Sequence, residues 1–112
     1  MITSITLEEA IVKAEEADAC QKEIDIIKKF NSWEEVVEHE KAAYWFHWYA
    51  RNVIKDRWIE AEEYIKKNPY WAYCYAQDVI KDRWIEAEEY IMKDPYLYYE
   101  YKSFLLDKGI KI

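Results

Sequence analysis

Two histidines and several paired glutamates are the residues whose types could support catalysis or metal binding. Glu35 and His39 stand four positions apart, so a helix would place both on one face. A catalytic zinc ion needs about three protein ligands, and the sequence holds no second Glu/His pair that could complete the set. We therefore predict that His39 is a surface histidine and that the chain uses no metal or other cofactor.

The glutamate pairs at positions 62–63 and 88–89 could in principle act as acid and base. Catalysis by two carboxyls requires that their environments differ, whereas these pairs recur in identical sequence contexts. We interpret them as an ion-paired, solvent-exposed helix face. The only glycine is Gly109, which excludes glycine-rich phosphate-binding loops. The sequence therefore predicts a protein that is not an enzyme.

The net charge of −7 argues against direct nucleic acid binding, which requires a basic surface. The negative charge is concentrated near the N-terminus: residues 1–43 contain eleven acidic against five basic residues, and residues 44–112 contain twelve against eleven. A local acidic docking patch, or an acidic decoy for a nucleic-acid-binding enzyme, stays open. Its candidate residues are Glu8, Glu9, Glu15, Glu16, Glu34, Glu35 and Glu38.

Targeting signals and disulfides are not apparent in the sequence. No stretch approaches the ~20 apolar residues of a membrane-spanning helix, and the N-terminus lacks the basic and apolar regions of a signal peptide. We expect a cytoplasmic protein that does not bind membranes. Cys20 and Cys74, which have no C-x-x-C spacing, are expected to be unpaired and half-buried thiols.

The dominant feature of the sequence is an internal repeat of 26 residues. The segment 53–65 recurs without change as 79–91, and the match extends outward on both sides. A two-helix unit of this size cannot bury its apolar side alone, so neighbouring units are expected to stack. We therefore predict acidic N-terminal helices in residues 1–42 and tandem repeats in residues 43–112. The repeat units are 43–68, 69–94 and a partial unit 95–107, and the whole chain is expected to form one compact domain.

Each unit is predicted to consist of two short helices. Glycine and proline are scarce, which favours helices joined by short links over strands. Asn68 and Asp94 each precede a proline, a pairing typical of helix starts, and Thr6 and Ser32 each begin a capping-box pattern. The predicted fold is all-α, a short α-solenoid-like array of helix–turn–helix repeats with N-terminal capping helices. The expected core positions are Phe46, Tyr49, Ala50, Val53, Ile54, Trp58, Ala61 and Ile65, and their equivalents Ala72, Tyr75, Ala76, Val79, Ile80, Trp84, Ala87 and Ile91.

A second stripe, rich in tyrosine, lies on a different helix face from the predicted core residues. Tyrosine and arginine are common at interface hot spots because they bury a large area and keep a polar tip. Stacked units would align these residues as a ladder along one surface, which would then bind a partner. The alternative is that the ladder packs between adjacent units or against the N-terminal helices. The candidate partner-binding residues are Tyr44, His47, Arg51, Tyr70, Tyr73, Gln77, Tyr96 and Tyr99.

The repeat units resemble a tandem repeat found in small proteins of tailed bacteriophages and prophages, with the pattern W/Y-A-Y-x-Y-A-x-D-V-I-K-x-R-W-x-E-A-E-x-Y-I-x-K-D-P. The match covers residues 43–101 and is carried above all by segments 71–81 and 83–95. Departures are Asp82, where glycine is common, and Ile85 and Glu89, where prolines often stand. The resemblance implies no settled activity. It does imply a phage-borne protein that acts on a host system, such as an inhibitor of restriction or CRISPR defence.

Three functional hypotheses follow. The first is a non-catalytic helical repeat protein that binds a protein partner, such as a host defence factor, through the tyrosine-bearing surface. The second is an acidic inhibitor that occupies the nucleic-acid site of a restriction or CRISPR enzyme. The third is a self-assembling structural protein that forms a homodimer through exposed aromatic residues.

Overall fold

The computed structural model describes all residues, 1–112, and consists of helices with no strand, which confirms the all-α prediction. Eight α-helices are present. Two of them, α4 and α6, continue directly into π-helical segments at Ala50–Ile54 and Ala76–Ile80. The helices are α1 (Leu7–Glu16), α2 (Gln21–Ile27), α3 (Trp33–Val37), α4 (Ala42–Tyr49), α5 (Ile59–Ile65), α6 (Pro69–Tyr75), α7 (Ile85–Ile91) and α8 (Pro95–Asp107).

The helix starts follow local capping chemistry in three of the four predicted cases. Asn68 and Asp94 accept hydrogen bonds from the first-turn backbone of α6 and α8, with proline as the next residue. Thr6 forms the predicted capping box with Glu9. Ser32 precedes α3 as expected, but its side chain makes no cap hydrogen bond, so that capping box was predicted wrongly.

The π-helical segments were not predicted. Each one ends at a lysine in the left-handed conformation, Lys55 with φ of 60° and Lys81 with φ of 59°. The N–H of each lysine donates to the carbonyl of the alanine five residues earlier, at 2.7 Å in both cases. A wider turn of this kind inserts an extra residue into a helix. The short links after Lys55 and Lys81 then reverse the chain into α5 and α7.

The hydrophobic core is one continuous cluster of 24 buried residues that extends from Ile2 to Leu105. Trp58 and Trp84 are buried in it, as predicted. They stand just before α5 and α7 rather than inside those helices. Val53, Val79 and Ile80 are only half-buried, and Ile54 is exposed, because the π-helical turns change the helical phase after Ala50 and Ala76.

Consecutive units are in contact through their first helices: α4 packs against α6, and α6 packs against α8. At the other end the N-terminal helices lie against the first unit. Trp33 at the start of α3 contacts the rings of Phe46 and Trp58, and its indole N–H donates to the carbonyl of Ile5. The first unit is therefore covered by α1–α3, whereas no helix within residues 1–112 packs on the outer side of α8. A solenoid-like stacking of complete units stays a prediction.

The carboxylate of Glu60 connects the N-terminal segment to the repeats, beside an ion pair between the N-terminal ammonium of Met1 and Glu63 at 2.9 Å. Glu60 accepts hydrogen bonds from the backbone N–H of Thr3 at 2.9 Å and of Ser4 at 3.1 Å. It also accepts hydrogen bonds from the hydroxyls of both residues. The hydroxyl of Ser4, together with the groups of Thr3, lowers the pKa of Glu60 to about 2. Glu86 stands 26 residues later, is exposed, and forms none of these contacts.

We expect the Glu60→Gln variant to have a lower melting temperature than the wild type at pH 7. Because the native pKa lies below the value of 4.5 for the free side chain, the stabilisation by Glu60 is complete above pH 4.5 and is lost as the pH falls towards 2. The difference in melting temperature, followed by circular dichroism, should therefore shrink over that range. Glu86→Gln is the matched control and should change little. A difference that persisted unchanged at pH 2 would contradict this assignment.

Candidate binding surface

The exposure of the predicted tyrosine ladder increases from one unit to the next. Tyr44 on α4 is half-buried and its ring lies 5.0 Å from that of Trp71 on α6. The equivalent Tyr70 is 51% exposed, and Tyr96 on α8 is 69% exposed. Tyr44 packs on the first helix of the next unit, whereas Tyr70 is exposed although α8 follows it. Part of the ladder is therefore packing between units, which was the alternative interpretation.

The second ladder position shows the same gradient and corrects one predicted site residue. His47 is 6% exposed, so it cannot contribute to an accessible surface. Its ring lies 5.2 Å from the ring of Trp71, and its Nε2 is 3.0 Å from an oxygen of Asp78. Burial lowers the pKa of His47, more than the hydrogen bond to Asp78 raises it. At neutral pH a neutral imidazole therefore donates its Nε2–H to the carboxylate.

The two residues equivalent to His47 differ from it in chemistry and in exposure. Tyr73 is half-buried, with its ring 6.4 Å from that of Phe104 on α8. Phe104 stands 26 residues after Asp78. We call the contact between α4 and α6 the first junction and the contact between α6 and α8 the second junction. The first junction therefore joins His47 to Asp78, and the second joins Tyr73 to Phe104. Tyr99, at the third equivalent position, is 64% exposed.

The third ladder position lies in the π-helical segments. Arg51 and Gln77 are exposed there, and the guanidinium of Arg51 is 3.7 Å from Asp78. Both residues line a polar cleft between the two π-helical segments, where Lys55 and Lys81 also lie. Arg51 and Gln77 are therefore accessible, but on a mixed-charge surface that is separate from the exposed tyrosines of α8.

The outer surface of α8 is a continuous exposed stripe. Tyr96, Tyr99, Ser103 and Leu106 recur at three- and four-residue intervals, which places them on one helix face. Leu106 is 66% exposed, comparable to the two tyrosines, and Ser103 is half-buried. The opposite side of α8 is buried through Leu97, Tyr101 and other core residues. We name the exposed stripe the α8 outer face. Tyr96 and Tyr99 were predicted as site residues; Leu106 was not, although it stands seven residues after Tyr99 and so shares its helix face.

A second recurring feature joins consecutive units by hydrogen bonds. Glu62 accepts two hydrogen bonds from Arg57, at 2.8 and 2.7 Å, and one from the hydroxyl of Tyr75 at 2.8 Å. The same hydroxyl accepts the backbone N–H of Trp58 at 2.7 Å. These hydrogen bonds thus link the start of α5 to α6 of the next unit. The identical arrangement at the next junction consists of Arg83, Glu88, Tyr101 and Trp84.

This arrangement corrects the interpretation of the glutamate pairs. Glu63 and Glu89 are exposed, but the side chains of Glu62 and Glu88 are only 12% exposed. Burial raises the pKa of Glu88, but the hydrogen bonds from Arg83 and Tyr101 lower it by more. The net shift of the pKa is downward, so Glu88 stays ionised. Two equivalent carboxylates held by the same partners are structural links, and no reacting group is placed beside them.

The predicted acidic patch is exposed at all seven positions: Glu8, Glu9, Glu15, Glu16, Glu34, Glu35 and Glu38. Three of these carboxylates already have partners within the N-terminal region, one of them Glu35, which accepts the backbone N–H of Asn31 at 3.4 Å. Glu9 belongs to the capping box with Thr6, and Glu15 forms an ion pair with Lys28 at 3.0 Å. The charges lie on α1 and near α3, at the opposite end of the helix order from α8.

His39 and Cys20 do not have the environments that were predicted for them. His39 is half-buried rather than a surface residue, and its ring stacks on Trp45 with centroids 4.7 Å apart. Its Nδ1 accepts the backbone N–H of Lys41. Both cysteines are unpaired, as predicted, but Cys20 is exposed and only Cys74 is half-buried. Neither residue joins a cluster of potential metal ligands.

A small apolar cavity of about 80 Å³ lies among α1, α2 and α4. Sixteen of its seventeen lining residues are hydrophobic, and Glu23 is the exception. The carboxylate of Glu23 accepts hydrogen bonds from Lys41 at 2.9 Å and from the indole of Trp45 at 3.0 Å. Ligand sites combine an apolar wall with several convergent polar groups. This cavity has one carboxylate with partners of its own, so it offers no such set.

Comparison of the chain with protein-family models, with curated proteins and with solved structures found no match. None of the helices combines the length and the apolar character required to cross a membrane.

Proposed function

We propose that this chain is a non-catalytic helical protein that binds another protein through the α8 outer face. The observation that carries the proposal is the exposure of Tyr96 and Tyr99. The equivalent residues of the first unit, Tyr44 and His47, pack against the next helix. Exposed aromatic groups clustered on one helix face are typical of interaction sites.

The resemblance to bacteriophage repeat proteins supports a host protein as the partner. We propose on that ground that the chain is phage-encoded, acts in the cytoplasm of the host, and targets a host factor such as a defence protein. The charge distribution is compatible with this proposal, because residues 44–112 are nearly neutral. A protein surface that relies on tyrosines rather than on charge should bind in a manner that depends little on salt.

Site-specific photo-crosslinking tests the proposal. A benzophenone amino acid is placed at position 99, or as the matched control at position 85, where Ile85 on α7 is 63% exposed. Both variants are irradiated in bacterial lysate at physiological salt. We expect a discrete protein adduct from position 99 and none from position 85. Equal labelling at both positions, or none at either, would overturn the proposal.

The salt dependence of the adduct separates this function from the acidic-inhibitor hypothesis. Binding through the exposed glutamates of α1 and α3 would fall steeply as the salt concentration rises. It would also be lost when Glu8, Glu34 and Glu38 are neutralised together. We expect neither change for the position 99 adduct.

A further inference from the structure

We infer that the partner presents an amphipathic α-helix with two large apolar residues seven positions apart, which packs on the α8 outer face as the next helix of the array. This inference rests on the proposed function and specifies the chemistry of the partner. It follows from the two junctions inside the chain, where α4 receives α6 and α6 receives α8.

The first junction defines two contact points. Tyr44 and His47 both contact Trp71, with ring centroids 5.0 and 5.2 Å away. Seven residues beyond Trp71, Asp78 meets His47 at 3.0 Å. Positions 71 and 78 of the arriving helix are therefore the two that face the ladder residues of the receiving helix.

The second junction has the same register and apolar chemistry. Leu97 and Phe104 stand 26 residues after Trp71 and Asp78. Both are buried, and Phe104 contacts Tyr73. Tyr73 thus meets a helix with large apolar residues at positions i and i+7. Tyr96 and Tyr99 are the equivalents of Tyr70 and Tyr73 near the start of α8, so we expect Tyr99 to receive a helix of the same type.

A second copy of this chain is the alternative occupant of the α8 outer face. Its Leu97 and Phe104 are buried in its core, so it would have to present the exposed Tyr99 and Leu106 of its own α8, which also stand seven residues apart. That arrangement would be a dimer through α8, and the oligomeric state of the full-length protein distinguishes it from a helix of another protein.

A peptide of residues 94–107 is a direct probe, because its inner side carries Leu97 and Phe104 in the natural register. Isolated helices of this length are marginally stable, so a hydrocarbon staple replaces Tyr99 and Ser103 of the peptide, on its outer side. Fluorescence anisotropy with the full-length protein measures binding. We expect the Tyr99→Ala protein to bind the peptide about tenfold more weakly. The Ile85→Ala control should bind as the wild type does.

The peptide's own residues supply the second control. The Leu97→Ala/Phe104→Ala peptide should lose most of its binding, and equal binding by both peptides would overturn the i and i+7 requirement. Binding that ignores Tyr99→Ala would mean that the peptide replaces the chain's own α8, which also overturns the inference. So would a dimer of the full-length protein in analytical ultracentrifugation that Tyr99→Ala dissociates. If crosslinking at position 99 succeeds but the peptide does not bind, the proposed function stands and the helical partner is wrong.

Discussion

Removing one hydroxyl in the Tyr75→Phe variant should destabilise the protein by about 1–3 kcal/mol, because a buried backbone N–H loses its acceptor. The N–H of Trp58 is that group, and Glu62 loses a donor at the same time. Tyr101→Phe should have a similar effect, since it breaks the same contacts at the next junction. Urea unfolding followed by circular dichroism gives the change in the free energy of unfolding.

Tyr49→Phe is the matched control for both variants. Tyr49 is buried and packs on Trp58, with ring centroids 4.9 Å apart, but its hydroxyl forms no hydrogen bond within the chain. Val36 occupies the position 26 residues before Glu62, so no carboxylate faces Tyr49 in an equivalent way. We expect the free energy of unfolding to change by less than about 0.5 kcal/mol. Equal losses for Tyr49→Phe and Tyr75→Phe would show that the hydroxyl bridge contributes nothing specific.

Exchanging one junction for the other should reveal strong coupling between His47 and Asp78. We expect His47→Tyr and Asp78→Phe to destabilise the protein by about 1–3 kcal/mol each, because either change leaves a polar group without its partner. The double variant reproduces the Tyr73–Phe104 pair. It should lose less than the sum, with a coupling energy of about 1–2 kcal/mol in a double-mutant cycle. Additive losses would contradict a direct interaction.

The same cycle has a defined pH dependence. Because the native pKa of His47 is lowered below the value of 6.5 for the free side chain, the native state binds fewer protons than the unfolded state. The wild type should therefore be fully stable above pH 6.5 and lose stability as the pH falls below it. The double variant should lack this component. Arg51→Gln, which introduces the residue found at position 77, is the control and should have little effect, since exposed ion pairs contribute little.

Sequence periodicity predicted the helical core because the same apolar residues recur at the same positions of the repeat. Trp58, Ala61 and Ile65 recur unchanged as Trp84, Ala87 and Ile91, and all six are buried. The helix starts at Asn68 and Asp94 could also be predicted from the sequence, since capping depends on a few neighbouring residues.

The candidate site was harder to predict because exposure depends on what lies across from a residue. His47, Tyr73 and Tyr99 have the same position in the repeat, yet they are buried, half-buried and exposed, because their surroundings in the neighbouring helices differ. Spacing along one helix does not contain that information. The role of Glu62 was missed for a related reason, since its partner Tyr75 lies in the next unit. The π-helical segments could not be predicted either. Lys55 and Lys81, which end them, have positive φ angles, a conformation that glycine would have signalled and lysine does not.

The two ends of the helix order are unlike: α1–α3 cover the first unit, and α8 ends with an open face. A further 26-residue copy inserted between them would meet an existing junction on each side and leave both ends unchanged. Gene duplication would therefore lengthen such a molecule in whole steps of one unit, while the covering helices α1–α3 and the exposed face of α8 stayed the same.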